Sequence, residues 1–313
     1  MTLPPRLGRR FVRAPLVAAA AMLLPTAASA DFLVVSQNAL HLGQGSKGVK
    51  NYVPKKNAFV RRLGRWPGNA LPQVTFLQEV MKQAKEADVT PAGGAARFSA
   101  LKGNSSYLER YGDLLVTDPP GRLAILCHVD TAALVSSGAK VQRPPEATLI
   151  ADSSSGSAQR VWFLDYHATF GTGGPAARRD EIAEIGNIVR KLTGAVPTGC
   201  PETSPAAVIV GDWNMDASDE SIARLAANAG FARLAFTPNV KTSLNAKGKL
   251  TSPYDHFVWD DARVQVTLAA LPAQTACGTR IAVVAGVLKP TSSPAFRKNC
   301  SDHVGIAAVV KVR

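Results

Sequence analysis

Acidic residues, aromatic rings and long apolar runs are all scarce in this chain. Of 313 residues, 23 are Asp or Glu against 36 Lys or Arg, a formal net charge of +13. An excess of that sign favours partners carrying phosphate, whether nucleic acid, anionic lipid or another polyanion. Aromatics make up 6% and form no exposed hairpin or cluster of the kind that docks an enzyme on a membrane. The longest apolar run, Ala14 to Leu24, is eleven residues, well short of the roughly 20 that span a bilayer. The four cysteines lie in no CxxC or His/Cys pattern, which excludes an ordinary zinc cage. With 46% hydrophobic residues the chain can bury a large core, so a disordered or fibrous protein is excluded.

Residues 1–30 divide into a head with Arg6, Arg9, Arg10 and Arg13, the apolar run, and Pro25 followed by Ala28-Ser29-Ala30, a small-x-small cleavage pattern. A signal peptide cut after Ala30 is therefore expected, with a secreted or periplasmic mature chain from Asp31 that keeps a net charge of +9. Arg9-Arg10-Phe11 is compatible with twin-arginine export as well as with the general route. Export permits disulfides. Cys277 and Cys300 bracket one turn-rich segment and are the favoured pair; Cys127, in the apolar run Leu123 to Val129, fits a buried thiol at least as well, and Cys200 has no evident partner.

Short apolar runs alternate with turn clusters. Phe32 to Ser36, Val74 to Leu77, Leu123 to Cys127, Thr148 to Ala151, Val161 to Tyr166, Ala206 to Val210, His256 to Trp259 and Ile306 to Val312 read as strands. Helices are expected from Pro175 to Gly194, from an N-cap at Ser218 to Gly230, and over roughly Ala58 to Arg65. No repeat or long linker divides residues 31–313, so one α/β domain of packed sheets with outer helices is expected.

Several of these strands end in a polar group, which places that group on a rigid support at a sheet edge. Asn38, Gln78-Glu79, His167 and Gly211-Asp212-Trp213-Asn214 follow apolar strands; Asp255-His256 and Ser301-Asp302-His303 open others. Taken singly, each has an ordinary meaning as a solvated strand end, a turn or a surface hydrogen bond. Together they supply hard oxygen ligands of the kind Mg²⁺ or Ca²⁺ prefers, and imidazoles able to move protons near neutral pH. Hydrolysis of a phosphate ester needs that combination.

The ordered set Asn38, Gln78-Glu79, His167, Gly211-Asp212-x-Asn214, Tyr254-Asp255 and Ser301-Asp302-His303 resembles the endonuclease/exonuclease/phosphatase superfamily, with matches from residue 33 to 310. Within it, Asn104 to Tyr111 resembles a stretch of secreted pancreatic-type deoxyribonucleases, and Arg143-Pro144 a phosphate-contacting element of those enzymes and of cytolethal distending toxin nuclease subunits. The resemblance implies two packed mixed β-sheets flanked by helices, a four-layer deoxyribonuclease-like α/β sandwich. It implies that Glu79 binds a divalent cation (Mg²⁺ or Mn²⁺, with Ca²⁺ an alternative) with Asn38 and Asp302 nearby. His167 would pair with Glu109 and His303 with Asp255, Asp212 and Asn214 would contact phosphate, metal or water, and Tyr107 and Arg143 would contact backbone phosphates. The chain departs from the pattern at Met81, where those deoxyribonucleases often carry a groove-reading Arg, and at His256, where Arg or Gln is common. Segments at Asn245 to Ser252 and Leu271 to Pro294 look like inserted loops without counterpart.

The function expected is a secreted, divalent-cation-dependent endonuclease hydrolysing phosphodiesters of DNA, with RNA as a further substrate option, a monomer gripping the nucleic-acid backbone. Lys47, Lys50, Lys55, Lys56, Arg61, Arg62 and Arg65 form a basic segment suited to phosphate contacts, although a solvated face explains them equally well. The alternative is a phosphoesterase of the same fold acting on sphingomyelin or inositol phosphates. A non-catalytic module ranks last, because Glu79, His167, Asp212, Asp255 and His303 are all present.

Overall fold

A computed structural model describes residues 31–44, 52–104, 107–117, 122–153, 159–171 and 174–313. Residues 1–30, expected to be a signal peptide, Lys47, Lys50 and part of the loop from Asp152 to Ala158 lie outside the described residues. In chain order the strands are β1 (Asp31–Leu42), β2 (Gln73–Val80), β3 (Gly94–Phe98), β4 (Lys102–Asn104), β5 (Tyr107–Val116), β6 (Leu123–Asp130), β7 (Glu146–Asp152) and β8 (Gln159–His167). There follow β9 (Ala207–Asp212), β10 (Leu234–Phe236), β11 (Asp255–Asp260), β12 (Val264–Leu268), β13 (Leu271–Ala276), β14 (Thr279–Val284), β15 (Val287–Pro290) and β16 (Ile306–Val312). The helices are α1 (Tyr52–Leu63), α2 (Glu86–Val89), α3 (Gly174–Gly194), α4 (Glu220–Ala229) and α5 (Ser293–Asn299).

Two mixed sheets face one another. The larger runs β13-β14-β15-β16-β1-β2-β5-β3, with β12 on β16 and β4 on β5; the smaller runs β10-β11-β9-β8-β7-β6. Strands β1, β2, β8 and β9 are buried at nearly every position because both of their faces are covered. Phe32, Phe76 and Phe163 fill the space between the sheets, Phe163 lying 5.7 and 5.2 Å from the other two ring centres. Helix α1 packs on β1 and touches α5, while the apolar side of α3 (Ile182, Ile185, Val189, Leu192) and Leu225 of α4 cover Trp162, Leu164 and Ile209. This is the four-layer arrangement expected.

Each sheet contains one parallel pair: β1 beside β2, with Asn38 opposite Gln78, and β8 beside β9, with His167 opposite Asp212. The carboxyl ends of both pairs lie at the same end of the sandwich, and β11 brings Asp255 opposite Asp212. Gly211 makes the second pairing possible, since a Cβ at its φ of 144° would sit 1.9 Å from the Tyr166 carbonyl oxygen.

Several local expectations need correction. Helix α1 begins at Tyr52, not near Ala58, because Pro54 is tolerated in a first turn and the basic, apolar-poor front half hides the period. Asp219, not Ser218, caps α4 through the Ser221 N–H at 3.0 Å. Cys127 is not a thiol: it pairs with Cys200 (Cα–Cα 5.4 Å), fastening β6 to the loop after α3, while Cys277 pairs with Cys300 as expected. Leu271 to Pro290 is no loop but the three-stranded edge β13-β14-β15, closed by the two-residue turns Cys277-Gly278 (φ 56° and 73°) and Ala285-Gly286 (φ 48° and 78°).

Candidate active site

Of the eleven residues singled out from the sequence, all but Asn38, Glu109 and Asp255 line one cavity of about 490 Å³ between the sheet ends, and those three stand directly behind it. Two imidazoles face each other across Asp212. His303 Nδ1 lies 2.7 Å from Asp255 Oδ2, and its Nε2 is 3.5 Å from Asp212 Oδ2. His167 Nδ1 lies 3.0 Å from Glu109 Oε2, and its Nε2 is 3.6 Å from the same Asp212 oxygen. Both rings therefore have one nitrogen held by a carboxylate and the other turned into the cavity.

The electrostatics follow from this pairing. Burial works against the His303 imidazolium, but Asp255 and then Asp212 outweigh it and push the pKa well above the ordinary value. His167 moves up more modestly: burial opposes the charged form, Glu109 overcomes it, and Arg143 works against Glu109. Asp212 moves the other way, since His303 and His167 more than offset the burial that would raise it. The centre is thus a carboxylate flanked by two rings inclined to hold protons.

Asn38 binds these parts together. Its Oδ1 accepts from the Leu40 N–H at 2.9 Å, which turns the amide nitrogen toward Glu79 Oε1 (2.9 Å) and Asp212 Oδ2 (3.0 Å). In this orientation Asn38 spaces two acids and turns its amide nitrogen, not its oxygen, toward them. Asn214, at φ 50°, donates its backbone N–H to Asp212 Oδ1 at 2.9 Å. The Arg143 guanidinium donates to Glu109 Oε1 (3.2 Å) and to the Ala168 carbonyl (2.7 Å), and its Cζ lies 5.5 Å from the centre of the Tyr107 ring. Arg143 thus braces His167 through Glu109, which both contact, as well as facing the cavity. His256 is a packing residue, buried with Nε2 near the Pro253 and Met215 carbonyls.

The sequence reading missed His41. Its ring is 45% exposed on the cavity wall, with Nε2 3.3 Å from Glu79 Oε2, and its backbone N–H is 3.1 Å from the same oxygen. Leu40 (φ 43°), His41 (φ 55°) and Glu79 (φ 59°) all adopt the left-handed region where β1 and β2 fall out of register, and no spacing rule announces such a turn. Strain of about 1–3 kcal/mol per residue persists where the surroundings enforce it. Lys56 belongs to that enforcement and not to a solvated face: 1% exposed, it donates to the Leu40 carbonyl. Burial pushes its pKa down to about 7 against the pull of Glu79 and Asp302. Phe170, 68% exposed at the cavity rim, was also not anticipated.

Among the described residues no three His, Cys, Asp or Glu side chains converge as a closed metal cage. The donor set nevertheless suits a hard cation that keeps much of its water, as Mg²⁺ does when held by one or two carboxylates and a substrate phosphate. Glu79 and Asp302 both line the cavity. Burial raises the Asp302 pKa, and Glu79 and Asp212 add to that rise, against His303 and Arg297; a cation there would relieve the crowding of acids.

No protein-family model and no curated protein sequence matches the chain. Solved structures do. The catalytic domain of human Nocturnin with bound sulfate superposes with a TM-score of 0.58 at 14% identity, over 91% of this chain and 96% of that one. An endonuclease/exonuclease/phosphatase family protein of Bacteroides thetaiotaomicron gives 0.58 at 13%, over 90% and 95%, and a mannosyl-6-phosphatase of the same organism 0.54 at 14%, over 89% and 99%. The protein thus has the two-sheet α/β sandwich fold of endonuclease/exonuclease/phosphatase proteins.

Proposed function

We propose that this protein is an exported, divalent-cation-dependent phosphodiesterase that cuts nucleic acid, nearest in kind to the pancreatic-type deoxyribonucleases. The observation that carries the reading is the pair of imidazole–carboxylate dyads meeting on Asp212 within one cavity. A phosphate diester needs a water made nucleophilic, donors to its non-bridging oxygens and a stabilised leaving oxygen. Asp212, ionised and held by Asn38 and the Asn214 N–H, orients the water and accepts its hydrogen. The Nε2 groups of His303 and His167, inclined to hold protons, donate to the phosphoryl and leaving oxygens. Glu79 and Asp302 would hold the cation, whose contribution is to neutralise charge on the phosphate. Tyr107 and Arg143 face the flanking phosphate, and Phe170 offers a base a ring to stack on.

The basic charge of residues 31–313 and the lack of an aromatic docking hairpin among the described residues favour nucleic acid over lipid as substrate. No helix among the described residues is long and apolar enough to cross a membrane. Purified protein incubated with plasmid, single-stranded DNA, RNA, sphingomyelin and a sugar phosphate, each with and without Mg²⁺, tests the reading. Cleavage of at least one nucleic acid only with the cation is expected; cleavage of sphingomyelin or the sugar phosphate alone would overturn it.

A further inference from the structure

The segment 237–254 contains three lysines, Lys241, Lys247 and Lys249, and no acid. It folds as a hairpin: Thr251 N–H donates to the Ser243 carbonyl at 2.8 Å and Asn245 N–H to the Lys249 carbonyl at 2.9 Å. The hairpin is fastened beside the catalytic His303, for Val304 N–H donates to Thr242 and Leu244 N–H to Asp302, at 2.9 and 2.6 Å. Its turn rests on α5, where a Cβ on Gly248 would come within 2.7 Å of Pro294 Cα and Arg297 donates to the Leu244 carbonyl at 3.3 Å. Helix α5 in turn meets α1 through Lys55 and Asn299 at 3.1 Å. Neither α1 nor α5 contains an acid.

Three touching elements, none of which contains an acid, therefore form one basic face that starts at the cavity wall, where Ser243 lies near Asp302, and runs over the hairpin turn to α5 and α1. Lys241, Lys247 and Lys249 are exposed, and none forms an ion pair among the described residues. The opposite helical layer differs: there Arg179 pairs with Asp219 and Arg224 with Asp180. Uncompensated cations on a rigid surface repel one another, and a polyanion laid across them relieves that repulsion and releases its own counterions.

We propose that the nucleic-acid backbone leaving the scissile phosphate on the Asp302 side passes Ser243 and lies along this hairpin toward α5. The proposal rests on the phosphodiesterase reading and extends it to the course of the substrate. The hairpin turn carries Asn245, Ala246, Lys247, Gly248 and Lys249 and no large apolar residue to enter a bilayer, which favours a nucleic-acid strand over a lipid surface.

The test is binding of a fluorescein-labelled 20-nucleotide single strand by anisotropy, in chelator so that no turnover intervenes, between 50 and 200 mM NaCl. The triple variant Lys241→Gln, Lys247→Gln, Lys249→Gln should bind about tenfold more weakly at the low end and lose about 2 from the slope of log affinity against log salt. A triple variant of equal charge loss on the other helical layer, Arg190→Gln, Lys191→Gln, Arg224→Gln, should stay within about twofold of wild type. In Mg²⁺, hydrolysis of bis(p-nitrophenyl) phosphate, too small to reach the hairpin, should be the same in all three. Wild-type affinity and slope in the hairpin variant, or an equal loss in the control, would overturn the proposal. So would loss of phosphatidylserine vesicle binding in the hairpin variant with oligonucleotide binding intact. If wild type binds the strand but cleaves neither it nor the small diester, the phosphodiesterase reading fails while the face stands.

Discussion

His167 and His303 each have one ring nitrogen on a carboxylate and the other near Asp212. A packing histidine replaced by Ala lowers stability and leaves the rate per folded molecule nearly intact, whereas a proton-moving group contributes about 10²- to 10⁴-fold, ~3–5 kcal/mol of barrier. His167→Ala and His303→Ala should each lose at least about a hundredfold in kcat with near-native melting, read by steady-state kinetics beside thermal denaturation. The acids behind them differ. Asp255 serves His303, so Asp255→Asn should cost less than loss of the ring and lower its pKa toward the ordinary value of about 6.5. With the donor form needed, the alkaline limb of the rate profile then moves to lower pH; NMR titration of the ring carbons checks the same shift directly. Glu109 also neutralises buried Arg143, so Glu109→Gln should destabilise the fold as well as slow the reaction.

At the level of elements, most strands that reach the site were legible as apolar runs bordered by a polar residue; β5, which carries Tyr107 and Glu109, was not, because its first half mixes polar and apolar residues. Their partners were less so: β3, β10 and β12 to β15 are short or of mixed polarity, and nothing local marks Leu40-His41 as left-handed. The Cys127–Cys200 bridge was hidden because 73 residues separate its ends and Cys127 reads as core. Closing a loop of that length is worth ~4 kcal/mol in the chain-entropy account, so Cys127→Ser with Cys200→Ser should lower the urea midpoint markedly. Between the sheets Asp165 is fully buried, with Gln78 donating to Oδ1 at 2.5 Å and, among the described residues, no partner on Oδ2, and burial drives its pKa well up. Above about pH 4 the unfolded chain releases a proton that the folded one keeps, so stability falls as pH rises toward the folded pKa. Asp165→Asn should flatten that decline and raise the melting temperature at pH 8 relative to wild type; an unchanged pH slope would count against a protonated Asp165.

For the molecule as a whole, charge and fold were readable at the first pass, while the course of the basic surface required knowing that hairpin, α5 and α1 touch. Exported protein should begin at Asp31, and N-terminal sequencing that still finds Ala14 to Leu24 would refute the leader. Nearly every role assigned here depends on acids that lie close together until a cation and a phosphate are bound. The most direct measurement is therefore the initial rate of cleavage of a labelled DNA strand by the purified protein in Mg²⁺, in excess EDTA, and after Mg²⁺ is restored. Activity that vanishes in EDTA and returns with the ion is the predicted result; full cleavage in excess EDTA would contradict the account.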